Sequence, residues 1–222
     1  MPHLAERLTE VDARIADAAR AAGRDPGELT RIVVTKFHPA SLVRELHDLG
    51  VRDVGENRHQ EAAAKAAELD DLDLRWHFVG QLQSNKAKAV RHYASSVHSV
   101  DRGSLVDALV GADPLDVFIE LNLTDDPGRG GADPAAVEPL AERVAAAPGL
   151  SLLGVMAVAP LHAEPRPAFA RVRAISDGIR SIVPGATAIS AGMSDDFADA
   201  IAEGATHLRI GTAITGKRST TG

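Results

Sequence analysis

The stretch AISAGMSDDFADAIAEGATHLRIGT, residues 188–212, decides the fold. A short apolar run, 188–190, breaks at Ala191-Gly192 into Met193-Ser194-Asp195, which opens a helical stretch carrying Phe197 and Ile201 and ending at Gly204. A second apolar run, 208–210, breaks again at Gly211-Thr212. Parallel strands cannot be joined by a tight turn, so a strand, a polar loop, an amphipathic helix and another strand form the repeating unit of a parallel sheet.

The unit recurs upstream. Runs 32–35, 53–55, 76–79, 97–100, 117–123 and 152–158 bring the candidate strands to eight. Ahead of them, Leu4, Leu8, Val11, Ile15 and Ala18 fall on one face at helical spacing, and Gly23 with Pro26 closes that helix. Leu42, Val43, Leu46 and Leu49 form a second face, closed by Gly50, and Phe169, Val172, Ile175, Ile179 and Ile182 form a long third, closed by Gly185. Ser84 or Asn85, Asp101, Asp133 before Pro134, and Ser194 are candidate caps, because short polar side chains accept from the orphan N–H groups of a first turn. Eight strand–helix units predict a single (β/α)8 TIM barrel over residues 1–216 with an extra N-terminal helix. The alternative is a doubly wound open sheet, opposed by the lack of G-x-G-x-x-G after the first strand. Residues 217–222 read as a frayed tail, and no C-terminal β-domain is expected.

Composition narrows the function classes. The chain has 222 residues, 45% of them hydrophobic but only 3% aromatic, so the core rests on Ala, Val, Leu and Ile. A net charge of −7 with no dense basic stretch argues against a nucleic-acid partner. The absence of cysteine removes disulfides, thiolate catalysis and Cys-based metal sites. No apolar run reaches membrane-spanning length, and the N-terminus has no signal core, so a cytoplasmic protein without a membrane partner is expected.

In a TIM barrel the chemistry lies at the C-terminal strand ends. The first strand ends Val33-Val34-Thr35-Lys36. Of the five lysines, Lys65, Lys86 and Lys88 fall in helical stretches and Lys217 in the tail, so Lys36 alone stands at a strand end. An amine partly desolvated there has a lowered pKa and forms Schiff bases; the plain alternative is a surface lysine. The loops after strands seven and eight are the recurrent phosphate site of such barrels. Ser190, Gly192, Met193 and Ser194 in one and Gly211 and Thr212 in the other supply close backbone, free N–H groups and hydroxyls. A phosphate cup facing a Schiff-base lysine points to pyridoxal 5′-phosphate (PLP). One of Arg209 and Ile210 faces the barrel interior. A buried Arg209 needs a partner: the pyridine nitrogen, to which it only donates, or a carboxylate such as Glu56, Glu120 or Asp101.

Residues 76–86, WHFVGQLQSNK, together with Thr35-Lys36, Gly55-Glu56-Asn57, Gly192-Met193-Ser194-Asp195 and residues 209–214, RIGTAI, resemble the blocks of the PLP homeostasis protein family, in that family's order and over residues 5–217. The resemblance implies a monomeric barrel of the alanine racemase N-terminal type. In it Lys36 carries PLP, the two glycine loops hold the phosphate, Arg209 faces the pyridine nitrogen, and Asn57, His77 and Met156 line the pocket. The chain departs from the family at 125–131, DDPGRGG, where a lysine is more usual before the glycine, at Ala191, and at Thr215, which replaces a common aromatic.

Racemisation needs an acid/base group on each face of the substrate. In alanine racemases the second is a tyrosine from a β-domain of the partner subunit. The single tyrosine here, Tyr93, is predicted away from the mouth, and His77 or His207 is more often structural. The expectation is a carrier that binds PLP reversibly and passes it to PLP-dependent apoenzymes, with little or no turnover. The alternatives are a fold-type III racemase and a cofactor-free class I aldolase using Lys36. The pair Asp195-Asp196 is read as serving a helix N-terminus rather than a metal.

Overall fold

The computed structural model describes residues 3–124, 129–160 and 163–216. In chain order the elements are α1 (Leu4–Ala21), β1 (Thr30–Val34), α2 (Ala40–Asp48), β2 (Asp53–Glu56), α3 (His59–Glu68), β3 (Arg75–Phe78), α4 (Ala87–Arg91), β4 (Ala94–Val100), α5 (Gly103–Leu109), β5 (Leu115–Glu120), α6 (Val137–Ala146), β6 (Leu150–Met156), α7 (Pro165–Ile179), β7 (Ala188–Ser190), α8 (Phe197–Ala202), β8 (His207–Ile210) and α9 (Thr212–Thr215). Each strand pairs in parallel with the next, and β8 pairs with β1, so the sheet closes into an eight-stranded barrel. The open sheet is thereby excluded.

Closure divides the apolar residues into two sets, because successive side chains on a strand point to opposite faces. Val33, Val54 and Ile210 face outward and join Leu8, Val43 and Leu46 in the continuous core between barrel and helices. Ile32, Phe118 and Met156 are equally buried but stand apart from that core, inside the barrel. In-register neighbours share a face, so Arg209 opposite Ile32, His77 opposite Ser96, and Glu120, Met156 and Ser190 in one row all point inward. The interior is therefore much more polar than the composition suggests.

The N-terminal helix packs against α8 and α9. Arg7 Nε donates to the Ile214 carbonyl at 2.6 Å, and Arg24 donates to the carbonyls of Ile201 and Ala205 at 3.1 and 2.6 Å. These arginines reach carbonyls at and just beyond the C-terminal ends of α8 and α9, where helical carbonyls run out of intrahelical donors.

Several local expectations shift. The buried face of α1 runs through Ala19, not Ala18, and Leu49 lies past the end of α2, 39% exposed. Helix α7 stops at Ile179, leaving Ile182 outside it. Ser84 accepts from Arg102 instead of capping a helix, neither it nor Asn85 caps α4, and Asp101 pairs with Arg102, which itself holds the N-cap position of α5. Asp133 does cap, accepting from the Ala135 N–H, but the turn it starts is a short 3-10 segment leading into α6. Asp196, not Ser194, stands at the N-cap of α8. Residues 217–222 and most of 125–131 lie outside the described residues. No described helix is long and apolar enough to cross a membrane.

Candidate functional site

At the C-terminal end of the barrel a cavity of about 380 Å³ opens between the loops after β1, β2, β3, β7 and β8. Lys36 lines it, and also a neighbouring cavity of about 330 Å³ toward Gly216. The strand delivers Lys36 there because Thr35 is its last buried residue and the chain then turns sharply. Phe37 takes a left-handed φ of 66°, a conformation that costs a residue with a large side chain energy and persists where surroundings enforce it. Its N–H donates to Glu61 at 3.0 Å and its ring lies under Arg58, 4.7 Å from the guanidinium carbon. The expected burial of Lys36 is not found: its side chain is exposed at the rim and engages no other described residue. Directly behind it is a buried lysine the helical pattern concealed. Lys65 of α3 donates to Glu56 at 2.6 Å and to the Thr35 carbonyl at 2.9 Å, and Thr35 donates to the same carboxylate at 2.6 Å.

Opposite Lys36 stand the two glycine loops. Gly192 has φ 92°, and a Cβ there would lie 2.8 Å from the Ala200 Cβ and 2.9 Å from the Phe197 Cα, so only glycine lets α8 approach this closely. The Met193 N–H is committed to Asp196 at 2.6 Å. The N–H groups of Ser194, Asp195, Thr212 and Ala213 take part in no hydrogen bond among the described residues. Ser194, Gly211, Thr212 and the half-exposed Met193 all line the cavity. Three of these residues, Ser194, Asp195 and Thr212, line the cavity itself, and unspent backbone donors grouped in this way are the material of an anion nest. Gly80, in the loop after β3, is also obligatory: a Cβ would meet the Asn57 carbonyl oxygen at 2.3 Å. That close approach holds Asn57 against the cavity, with its side-chain Oδ1 buried and unpartnered.

The floor carries Arg209, 5% exposed. It donates to Ser190 Oγ at 2.6 Å and to the Ala157 carbonyl at 2.8 Å; no carboxylate pairs with it, which removes the salt-bridge alternative among the described residues. Its Nε–H is left uncommitted. Burial lowers its pKa to about 10, with Glu120 and Asp196 opposing the shift, so the guanidinium stays charged at neutral pH. Glu120 ends β5 nearby; burial first and Asp101 second raise its pKa to about 7, and one of its oxygens has no partner. Sequence reading had treated Glu120 only as a possible mate for Arg209.

The remaining expected residues do not reach the cavity wall. Met156 and Ser190 sit within the barrel beneath it, Gly192 lies behind its loop, and Ser190 meets the site only through Arg209. His77 corrects the expectation most. Its ring turns away from the mouth, with Nε2 2.9 Å from Asp53 at the opposite end of the strands. Tyr93 follows α4 and stacks on His59 with ring centroids 6.0 Å apart; burial and the nearby Glu56 charge hold its phenol up. Among the described residues no group of three potential ligands could hold a metal.

Comparison with known proteins agrees with this architecture. The alanine racemase N-terminal domain profile matches residues 9–219. The pyridoxal phosphate homeostasis protein of Pseudomonas aeruginosa is 43% identical over 98% of this chain and 97% of its own, and that of Escherichia coli is 38% identical over 98% of both. Among solved structures, PipY of Synechococcus elongatus without PLP superposes with a TM-score of 0.86 at 35% identity, covering 96% of this chain and all of PipY; its PLP-bound form gives 0.84. Alanine racemase from Corynebacterium glutamicum, at 15% identity and TM-score 0.70 over 96% of this chain and 62% of the racemase, shares the fold.

Proposed function

This chain belongs to the alanine racemase N-terminal domain family and, within it, to the pyridoxal phosphate homeostasis proteins, and on that premise we propose that it holds PLP reversibly on Lys36 in the cytoplasm, as a monomer, and passes it to PLP-dependent apoenzymes. The observation that carries the reading is a free amine sharing one cavity with Ser194, Asp195 and Thr212, whose backbone N–H groups are unspent, and with the buried cation of Arg209. That donor set fits a molecule with an aldehyde at one end and a phosphate at the other. The unmet Asn57 Oδ1 offers one more polar contact.

Bound PLP supplies an aldehyde carbon that condenses reversibly with an amine, losing one water, and a pyridine ring able to accept electrons. Each of this chain's residues then has a task. Lys36 provides the amine, and its exposure suits it to exchange, since release needs water and a competing amine to reach the same carbon. Ser194, Asp195, Thr212 and Ala213 present N–H groups to the dianion. Arg209 presents a donor to the ring nitrogen and, keeping its own proton, leaves that nitrogen unprotonated, which weakens the ring as an electron sink. The non-catalytic reading draws support from the same geometry. Tyr93 and His77 are both withdrawn from the cavity, so neither can serve as the second acid/base group that racemisation requires.

The test is the visible spectrum of the purified protein with added PLP, for wild type and Lys36→Ala, followed by borohydride reduction and peptide mapping. The expected result is an absorption band lost in the variant and a pyridoxyl label on Lys36. A label on another lysine, or no band, refutes the site. Sustained conversion of an amino acid by pure protein refutes the carrier role, and light scattering checks the monomer.

A further inference from the structure

Beneath the cavity a file of polar side chains runs the length of the barrel. Arg209 donates to Ser190 Oγ at 2.6 Å, and Ser190 Oγ lies 2.9 Å from His98 Nδ1. His98 Nε2 lies 3.0 Å from Ser96 Oγ, Ser96 Oγ 2.7 Å from His77 Nδ1, and His77 Nε2 2.9 Å from Asp53 Oδ1. Asp53 is held in turn by Arg75, whose Nε donates at 2.7 Å. Ser96, His98 and Ser190 are all at most 3% exposed. Water is not needed to complete the file, and Phe118 stacks on the His98 ring, centroids 4.3 Å apart, fixing its plane.

The two ends dictate where every proton sits. Arginine only donates, so Ser190 accepts from Arg209 and its single O–H is free to go to His98 Nδ1. A neutral His98 then carries its proton on Nε2 and donates to Ser96. Ser96 passes its O–H to His77 Nδ1, and His77 donates Nε2–H to Asp53, which as a carboxylate only accepts. All the bonds, including a direct contact of 3.1 Å in which His98 Nε2 faces His77 Nδ1 beside Ser96, are satisfied with one sense, from the cation at the mouth to the anion at the far end. The reverse sense would have both Arg209 and His98 donating to Ser190, stranding a buried hydroxyl. Burial first, and then the charge of the nearby Arg209, keep His98 uncharged. Burial works against Asp53, but its bonds to His77 and Arg75 prevail and keep it ionised.

We propose that this one-way relay orients the Arg209 guanidinium, with Ser190 in contact and His98, Ser96, His77 and Asp53 acting through it as positioning residues from the opposite end of the barrel. The Ala157 carbonyl engages Nη2 and Ser190, itself held by the relay, engages Nη1, which leaves Nε–H without a partner. The inference rests on the PLP reading in one respect, that Arg209 faces the ring nitrogen.

Two measurements test it. In the unliganded protein labelled with 15N-histidine, long-range 1H–15N correlations at pH 7.5 are expected to show His98 neutral, protonated on Nε2 and bare on Nδ1, with the Nε2 of His77 carrying a proton toward Asp53. An Nδ1–H tautomer or an imidazolium at His98 overturns the relay without any variant. In the PLP-loaded protein, Ser190→Ala is expected to weaken PLP about tenfold and Asp53→Asn about threefold, each shifting the visible band, while Ser190→Thr stays within twofold of wild type. A merely structural role would lower the melting temperature of these variants without moving the band. If borohydride labels Lys36 in wild type yet Ser190→Ala keeps its affinity and spectrum, the positioning role is refuted. If Lys36 is not labelled at all, the PLP reading fails, and the histidine tautomers still decide whether the relay exists.

Discussion

The two ends of the barrel interior treat polar groups in opposite ways. At the mouth, Lys36, Asn57 Oδ1 and the N–H groups of Ser194, Asp195, Thr212 and Ala213 are left without partners among the described residues. A few ångströms below, Ser190, His98, Ser96, His77 and Asp53 satisfy one another completely. Unmet buried hydrogen-bonding capacity is costly, and fully satisfied networks rigidify. The contrast teaches that donors left open for a ligand at the rim can stand on a floor made stiff by a network that needs none.

The lysines sharpen this contrast most. Lys65→Met leaves Glu56 buried and unpaired, and about 4 kcal/mol of stability should be lost in urea unfolding at pH 7. A loss below about 1 kcal/mol would mean that the Glu56 environment is wetter than the geometry shows. Next in size are two interior groups with opposite pH signatures. The Glu120 pKa is raised to about 7, so its charge penalises the fold increasingly as pH rises from 4.5, its ordinary value, through 7. Glu120→Gln should therefore stabilise by up to about 3 kcal/mol at pH 8 and by nothing near pH 4. The His207 pKa falls to about 4, chiefly through burial, so its stability is full above 6.5 and is lost as pH falls toward 4. His207→Gln should flatten the acid limb of the melting temperature; an unchanged limb would break the assignment.

A smaller effect tests the mouth itself. Gly192→Ala places a methyl against Ala200 and Phe197 at a left-handed backbone position and should cost about 2 kcal/mol, with PLP affinity falling alongside. If affinity is kept, the loop does not shape the anion nest. Smallest of all, Lys36→Ala should change stability by no more than about 0.5 kcal/mol, since the side chain is exposed and unpaired, even though it abolishes covalent labelling. A large destabilisation would place that lysine with the satisfied half of the molecule.

Much of the barrel was legible because strands buried on both faces read as continuous apolar runs, and each of the eight runs overlaps an observed strand. The caps were not. Ser84 and Asp101 are suitable types, but both are drawn to Arg102, a tertiary partner that no local pattern reveals. Lys36 and the glycine loops were visible because strand ends locate the mouth. The polar file was hidden for a different reason: which face of a strand points inward depends on register around a closed barrel. A trace of it lay in Ser96 and His98, two positions apart, which must share a face. Lys65 also left a trace, since it falls with Ala62 and Leu69 on the buried stripe of α3 and just beyond it. His77 was misplaced because its match to a family block says nothing of which end of the barrel its ring approaches.

The clasp of α1 on α8 and α9 bears on how the protein is made. Arg7 and Arg24 leave the ribosome long before the carbonyls they hold, at Ile201, Ala205 and Ile214. Contacts so distant in sequence cannot form until Ile214 is out. The Thr212 and Ala213 N–H groups belong to that same late segment. Competence to hold a ligand is thus acquired only after the segments that carry Lys36 and Asn57 have long been out, and a nascent protein that still lacks α9 has a lysine in place but no completed nest opposite it.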